Sequence, residues 1–289
     1  MRNVSVLLSF LAAAIFSSPL ALAQTYRGPI TAAHAHLRLG DNDWIRPDQP
    51  KGVTELRAID ATSGISRSAL IVIGFGDVDA VRAKNDAAIA TAAADPSHFY
   101  PVASVNPDNG DASLAELERV AALGVKIIKL HPSSQEFDVA APIIAKITQR
   151  CGELGMAVLF DSFDPFDAGQ IGKFVKLSMG QPDTKFILAH MAFNRFRETI
   201  TFSLLRRMGA ANNVWFDLSA IATTYADSPV SAELVWTMRK IGIDRMIFGS
   251  DWPLYSPAEA LDAIRKLGLS EAEQRMVLHD NIEGILAGR

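Results

Sequence analysis

The chain has one cysteine among its 289 residues, four tryptophans and four tyrosines, and its 28 basic side chains nearly balance 32 acidic ones. Each shortage excludes something. A lone Cys151 closes no internal disulfide, so stability in an oxidising compartment must come from packing, and a cysteine within an apparent helix is expected to be buried and inert. A net charge of −4 is weakly acidic, which disfavours nucleic acid or an anionic membrane as partner. No low-complexity linker or charge block marks a second domain. No glycine-rich phosphate loop follows the first strand-like run either; "HAHLRLG" stands there instead, which disfavours a doubly wound nucleotide-binding sheet.

Long hydrophobic runs are also scarce. The opening "MRNVSVLLSFLAAAIFSSPLALAQ" places one positive charge, Arg2, before an apolar stretch and Ala21-Leu22-Ala23, the pattern of an export signal cleaved after Ala23. Ser17, Ser18 and Pro19 interrupt that stretch, and no second span follows. The expectation is that residues 1–23 are removed and that residues 24–289 form one domain, periplasmic or secreted, with no stable membrane anchor. That length is near the ~250 residues of an eightfold α/β barrel.

What the sequence does have is repetition. Eight short apolar runs recur: "ITAAH" from Ile30, "ALIVIG" from Ala69, "FYPVASV" from Phe99, "VKIIKL" from Val125, "MAVLF" from Met156, "KFILA" from Lys185, "VWFDLS" from Val214 and "RMIFGS" from Arg245. Being apolar throughout rather than alternating, they read as parallel strands covered outside by helices. Amphipathic stretches separate them. In "SLAELERVAALG" the apolar Leu114, Leu117, Val120 and Ala121 share a face and Gly124 ends the helix. In "SPAEALDAIRKLG" Ser256 caps, Pro257 takes the first position and Glu259 completes a capping box. The fold expected is a (β/α)8 TIM barrel. The one long connection, Leu37 to Ser68, contains "DNDWIRPDQPKG", whose Trp44 suggests a lid or pocket wall as readily as a plain surface excursion.

Barrel chemistry sits at the carboxyl ends of the strands. There the sequence is unusually polar: His34 and His36 after strand one, His131 after strand four, Asp161 after strand five, His190 after strand six and Asp251 after strand eight. Two histidines one residue apart on a strand point to the same side and can grip one cation. Asp251 would stand beside strand one on closure, and such a half-ring of imidazole and carboxylate calls for a positive charge at its centre.

The motifs "AHAHL", "ASVNP", "LGVKIIKLHP", "LAHMA", "FGSDWP" and "DNIEGIL", in this order over nearly the whole mature chain, resemble the amidohydrolase superfamily. The likeness is to the amidohydrolase-related branch that includes aminocarboxymuconate-semialdehyde decarboxylase and several metal-dependent hydrolases. The resemblance implies that His34 and His36 bind metal, that Asp251 is both ligand and proton carrier, and that His190 is the catalytic histidine. Strand five departs from the pattern: "AVLFDS" puts Asp161 where relatives carry a histidine, as a metal ligand or the partner of one. One divalent ion is implied, zinc most simply, with manganese or iron also suited to two imidazoles and two carboxylates.

His131 serves the pocket or only its wall. For substrate, Arg195 is the first candidate carboxylate clamp, ahead of Arg197 and Arg38, unless it pairs with Glu198. Trp252 and Tyr255 either wall a flat ligand or fill the top of the core. His98 is expected to be a loop residue at the opposite rim, and His279 to lie near a helix end. The leading expectation is hydrolysis of an ester, lactone or amide of a small, carboxylate-bearing molecule. The rival chemistry is non-oxidative decarboxylation of an unsaturated or aromatic acid, and a third reading is a binding protein that has lost the ion. Barrels of this type often pair, so a homodimer is the expected assembly.

Overall fold

Eight parallel strands pair in sequence order: β1 (Thr31–Ala32), β2 (Arg67–Ile71), β3 (Phe99–Ser104), β4 (Ile127–Leu130), β5 (Ala157–Asp161), β6 (Phe186–Ala189), β7 (Val214–Asp217) and β8 (Met246–Ile247). The computed structural model describes residues 25–38 and 52–289. The expected export signal ending at Ala23 and residues 39–51, which carry Trp44, lie outside the described residues, while the later part of the connection from Leu37 to Ser68 holds a helix, Val53–Ser63. Helices follow the strands: α1 (Val53–Ser63), α2 (Val78–Ala94), α3 (Asp111–Ala122), α4 (Pro142–Glu153), α5 (Gln170–Gly180) and α6 (Ile200–Arg207). Then come α7 (Ile221–Tyr225), α8 (Ser231–Ile241), α9 (Pro257–Lys266), α10 (Glu271–Arg275) and α11 (Asn281–Leu286). This is a (β/α)8 TIM barrel.

Closure runs through the segments just past β1 and β8. Ala33 N donates to Phe248 O at 2.8 Å, Ser250 N and Asp251 N both donate to His34 O, and His36 N donates to Trp252 O at 2.8 Å. The seam that joins the barrel's ends therefore also carries the paired histidines and Asp251.

The strands are apolar on both faces because both are covered. Ala69, Ile71, Tyr100, Val102, Ile127, Ala157, Leu159, Ile187, Ala189 and Ile247 fill the interior, with Ile282 and Ile285 of α11 closing its floor. The alternate residues Ile128, Leu130, Val158, Phe160, Phe186, Leu188, Phe216 and Phe248 pack in the layer that includes the helices. Period-two alternation then puts Lys129 on the parity of Ile127, and Asp161 on that of Leu159, facing inward at the carboxyl end.

Local chemistry sets the helix ends as the sequence indicates. Ser256 Oγ accepts from Ala258 N and Glu259 Oε2 from Ser256 N, the reciprocal box that starts α9. Gly124, past the end of α3, sits at φ +88°, where a side chain would be strained. Cys151 is fully buried in α4. One histidine expectation changes. His98 lies where expected, in the turn before β3 at the far rim, and its side chain is buried there and hydrogen-bonded to Asp60 Oδ2 at 2.8 Å. His279 lies in a π-helical turn, Met276–Asp280, running on between α10 and α11, so it marks no helix end. Among the described residues no helix is long and apolar enough to cross a membrane.

Candidate metal centre

Past β1 the chain stays extended and bridges to β2 at His36, so His34 and His36 project to one side. Their Nε2 atoms stand 3.1 Å apart, and Asp251 Oδ1 lies 3.3 Å from the first and 3.4 Å from the second. All three residues are buried. Three lone-pair atoms this close repel one another unless a positive charge lies between them. The spacing suits a metal: ligand bonds of 2.0–2.1 Å in a tetrahedron put neighbouring ligand atoms about 3.3 Å apart.

His34 is prepared for that role from behind. Its Nδ1 meets Asp217 Oδ2 at 2.5 Å, so the ring donates on this side and leaves Nε2 as the free lone pair. Asp217, at the end of β7, is oriented in turn by Ser219, whose N donates to Oδ1 at 2.8 Å and whose Oγ donates to Oδ2 at 2.7 Å. Gly249 makes room, since a Cβ there would come within 2.6 Å of both Asp217 Oδ1 and His34 Cβ. Neither Asp217 nor Ser219 stands out in the sequence. The only local hint is an acid ending an otherwise apolar run, "VWFD".

His190 stacks on His34, with ring centroids 5.1 Å apart and planes 24° apart. Its Nδ1 lies 3.1 Å from Ser219 O and its Nε2 lies 3.1 Å from Asp161 Oδ2. Asp161 does not join the three-residue cluster: among the described residues the groups compact enough for one ion are His34, His36 and Asp251, and a second set of His34, His190 and Asp217. In the second set the 2.5 Å approach is the hydrogen bond that orients His34, so the first is the better cation site. Asp161 Oδ2 faces His131 Nε2 at 3.5 Å and Lys129 Nζ at 4.0 Å. Lys129 is fully buried, with Nζ 3.4 Å from His34 Nε2.

Burial favours the neutral form of each group, and the neighbours decide how far that holds. Burial would raise the Asp251 carboxyl, but His190, His34 and His36 outweigh it and hold the group at about 2. Burial would lower His190, yet Asp251, Asp161 and Asp217 raise it to about 9. His34 and His36 are lowered, by burial first, and so is His131, to about 4. Neutral imidazoles are what a metal needs. Burial also holds Lys129 below the ordinary lysine value, with Asp161, Asp251 and Asp217 opposing the fall.

The backbone is strained where these residues sit. His190, Ala220 and Asp251 have φ of 59°, 59° and 65° without being glycine. Such conformations cost about 1–3 kcal/mol each and persist where surrounding structure imposes them, typically at functional sites.

The expected substrate contacts fare unevenly. His131 is at the site edge, its Nδ1 accepting from Ser134 N at 3.2 Å. Arg195 is turned outward, paired with Glu198 at 2.8 Å and donating to the carbonyls of Asp167 and Ala168. Arg197 pairs with Glu233. The Trp252 indole is buried in an apolar cluster with Ala35, Leu56, Leu70 and Phe99, so it fills the top of the core instead of walling a ligand.

The amidohydrolase family model matches residues 32–286. The chain belongs to the amidohydrolase family. The family match spans all eight strands except the first residue of β1, and it includes every member of the cation cluster. Among curated protein sequences none matches. Among solved structures the chain resembles 5-carboxyvanillate decarboxylase from Sphingomonas paucimobilis, at 17% identity and TM-score 0.69, over 90% of this chain and 99% of that one. It also resembles a dihydroxybenzoic acid decarboxylase from Polaromonas sp. JS666 with bound manganese, at 15% identity and TM-score 0.70, over 90% and 97%. A third is a Pseudomonas putida protein provisionally named a 2-pyrone-4,6-dicarboxylic acid hydrolase, at 19% identity and TM-score 0.68, over 90% and 98%. At these identities the likeness speaks for the fold.

Proposed function

We propose that this amidohydrolase-family enzyme is a metal-dependent hydrolase of an ester, lactone or amide bond in a small carboxylate-bearing molecule. The observation that carries the reading is the convergence of His34 Nε2, His36 Nε2 and Asp251 Oδ1 within 3.1 to 3.4 Å of one another. These three would hold a divalent cation, zinc most simply and manganese or iron otherwise. When bound, such an ion supplies Lewis acidity and lowers the pKa of water in contact with it to about 7.

Asp251, ionised at neutral pH, takes the proton of the attacking water and returns it to the leaving group. His190 offers positive charge where the substrate carbonyl oxygen turns negative, a contribution of about 2.7–4 kcal/mol in comparable oxyanion sites. Charge also supports a carboxylate on the substrate. His190, raised to about 9, borders the site, and a divalent ion would add two further positive charges beside it.

A second reading keeps these residues and breaks a carbon–carbon bond. Carbon dioxide leaves an unsaturated or aromatic acid, the electron pair stays on carbon, and a proton from the site takes its place. The decarboxylase names of two of the three solved structures favour it.

Protein purified without added metal is expected to contain about one divalent ion per chain, and Asp251→Asn to lose it. A wild type that carries none and takes up none on dialysis would sink both readings. Hydrolysis of a lactone and ester panel, without carbon dioxide release from hydroxybenzoates or muconate-like acids, supports the first; the reverse pattern supports the second.

A further inference from the structure

We propose that Asp161 is a positioning residue for His190 and stands outside the cation-binding set, although it occupies the strand-five position at which the family resemblance puts a ligand. This rests on the reading above only in giving His190 a role in the reaction.

The register makes the pair. Asp161 stands in register with Ala189 across β5 and β6, so the next residue, His190, begins beside the carboxylate. His190 then departs from strand geometry at φ 59°, which aims its ring back over the barrel mouth. There Nε2 donates to Asp161 Oδ2 at 3.1 Å, while Nδ1 donates to Ser219 O at 3.1 Å and lies 3.0 Å from Ser219 Oγ. An imidazole gripped at both nitrogens has one orientation, and stacking on His34 fixes its plane.

The carboxylate has little left to offer a metal. Its Oδ1 accepts from Phe163 N at 3.1 Å, and its Oδ2, already bonded to His190, faces His131 Nε2 at 3.5 Å and the Lys129 ammonium at 4.0 Å. To ligate an ion, Oδ2 would have to give up the His190 hydrogen bond and move into the His34, His36 and Asp251 cluster, from which it is excluded at the present spacing. Asp161 instead holds His190 by its Nε2 edge.

The experiment uses the whole protein labelled with 15N-histidine, metal-free and zinc-loaded, as wild type, Asp161→Asn, Asp161→Glu and Asp251→Asn. Zinc affinity is read by chelator competition, and the His190 ring nitrogens by NMR. Asp161→Asn is expected to bind zinc within about threefold of wild type, whereas Asp251→Asn loses tenfold or more, on the order of a ligand or ligand-partner loss. The His190 Nε2 resonance should move in Asp161→Asn and return toward wild type in Asp161→Glu. Parallel loss of zinc in Asp161→Asn and Asp251→Asn would overturn the proposal, as would an unmoved His190 resonance. Should the Asp161 variants fail to fold, wild type still decides. A Nε2 that stays protonated on zinc addition supports the pair, and its deprotonation as Asp161 leaves for the ion overturns it. If wild type binds neither zinc, manganese nor iron, the metal-dependent function falls, and the His190 resonance still tests the pairing.

Discussion

Asp217 lies outside the cation cluster, yet it sets which nitrogen of His34 is free to face it. The 2.5 Å contact with Nδ1 fixes the tautomer, and the two hydrogen bonds from Ser219 hold the carboxylate to that task. Asp217→Ala should therefore keep all three proposed ligands and still weaken metal binding, by about 10- to 100-fold. Asp217→Asn should do the same, because an amide NH2 turned toward Nδ1 favours the opposite tautomer. Calorimetric titration with zinc checks both; affinity unchanged within a factor of about two would mean that His34 needs no support from behind. This residue also marks where sequence reading ends. His34 and His36 are legible because alternation on a strand is a local property, and Asp251 because barrel closure is a property of the fold. The Asp217 carboxylate meets its histidine across 183 residues of chain, and nothing in "VWFDLS" announces the encounter.

Among the elements, α2 and α3 show how a buried charge can tie helices to the barrel. Glu116 of α3 is 1% exposed and accepts from Arg119 Nε at 2.8 Å, from Asn85 Nδ2 of α2 at 2.8 Å and, at 3.4 Å, from Arg82 Nε. Asn85 in turn exchanges two hydrogen bonds of 2.9 Å with the backbone of Ser104 at the end of β3. Burial alone would raise the Glu116 carboxyl, but Arg119, Asn85 and Arg82 outweigh it and leave the group below its ordinary value. A carboxyl depressed in the folded state adds stability that is fully present above its unfolded pKa, about 4.3, and is lost as pH falls through the lower folded value. Glu116→Gln should thus cost about 1–3 kcal/mol at pH 7. It should also flatten the acid limb of wild-type stability below about pH 4.3, as read by urea unfolding across pH. An equal loss at pH 7 and pH 3 would assign the effect to packing alone. The amphipathic face of α3 is plain in "SLAELERVAALG", but a glutamate within it reads as solvent-facing until its partners on α2 are known. The burial of His98 in its turn is hidden for the same reason, because Asp60, its partner, lies 38 residues away.

At the scale of the molecule the barrel was legible because eight runs apolar on both faces admit few arrangements. The seam was less so, since β1 and β8 have two residues each and close through the irregular chain after them. The strands give alternate residues to the barrel interior and to the layer under the helices, so the two layers share every strand and no single helix should open much more easily than the whole. Cys151 tests this. It is fully buried on α4, it is the chain's one thiol, and burial pushes that thiol well above its ordinary range, so only an unfolded or detached α4 can react. Labelling of native protein with an aromatic disulfide reagent should be slower than labelling in denaturant by about the folding constant, within a range of 10³ to 10⁸. Its free energy should match that of global urea unfolding. Labelling that proceeds about tenfold or more faster than global unfolding permits would show α4 peeling from the barrel on its own, and would contradict cooperative unfolding of the two layers.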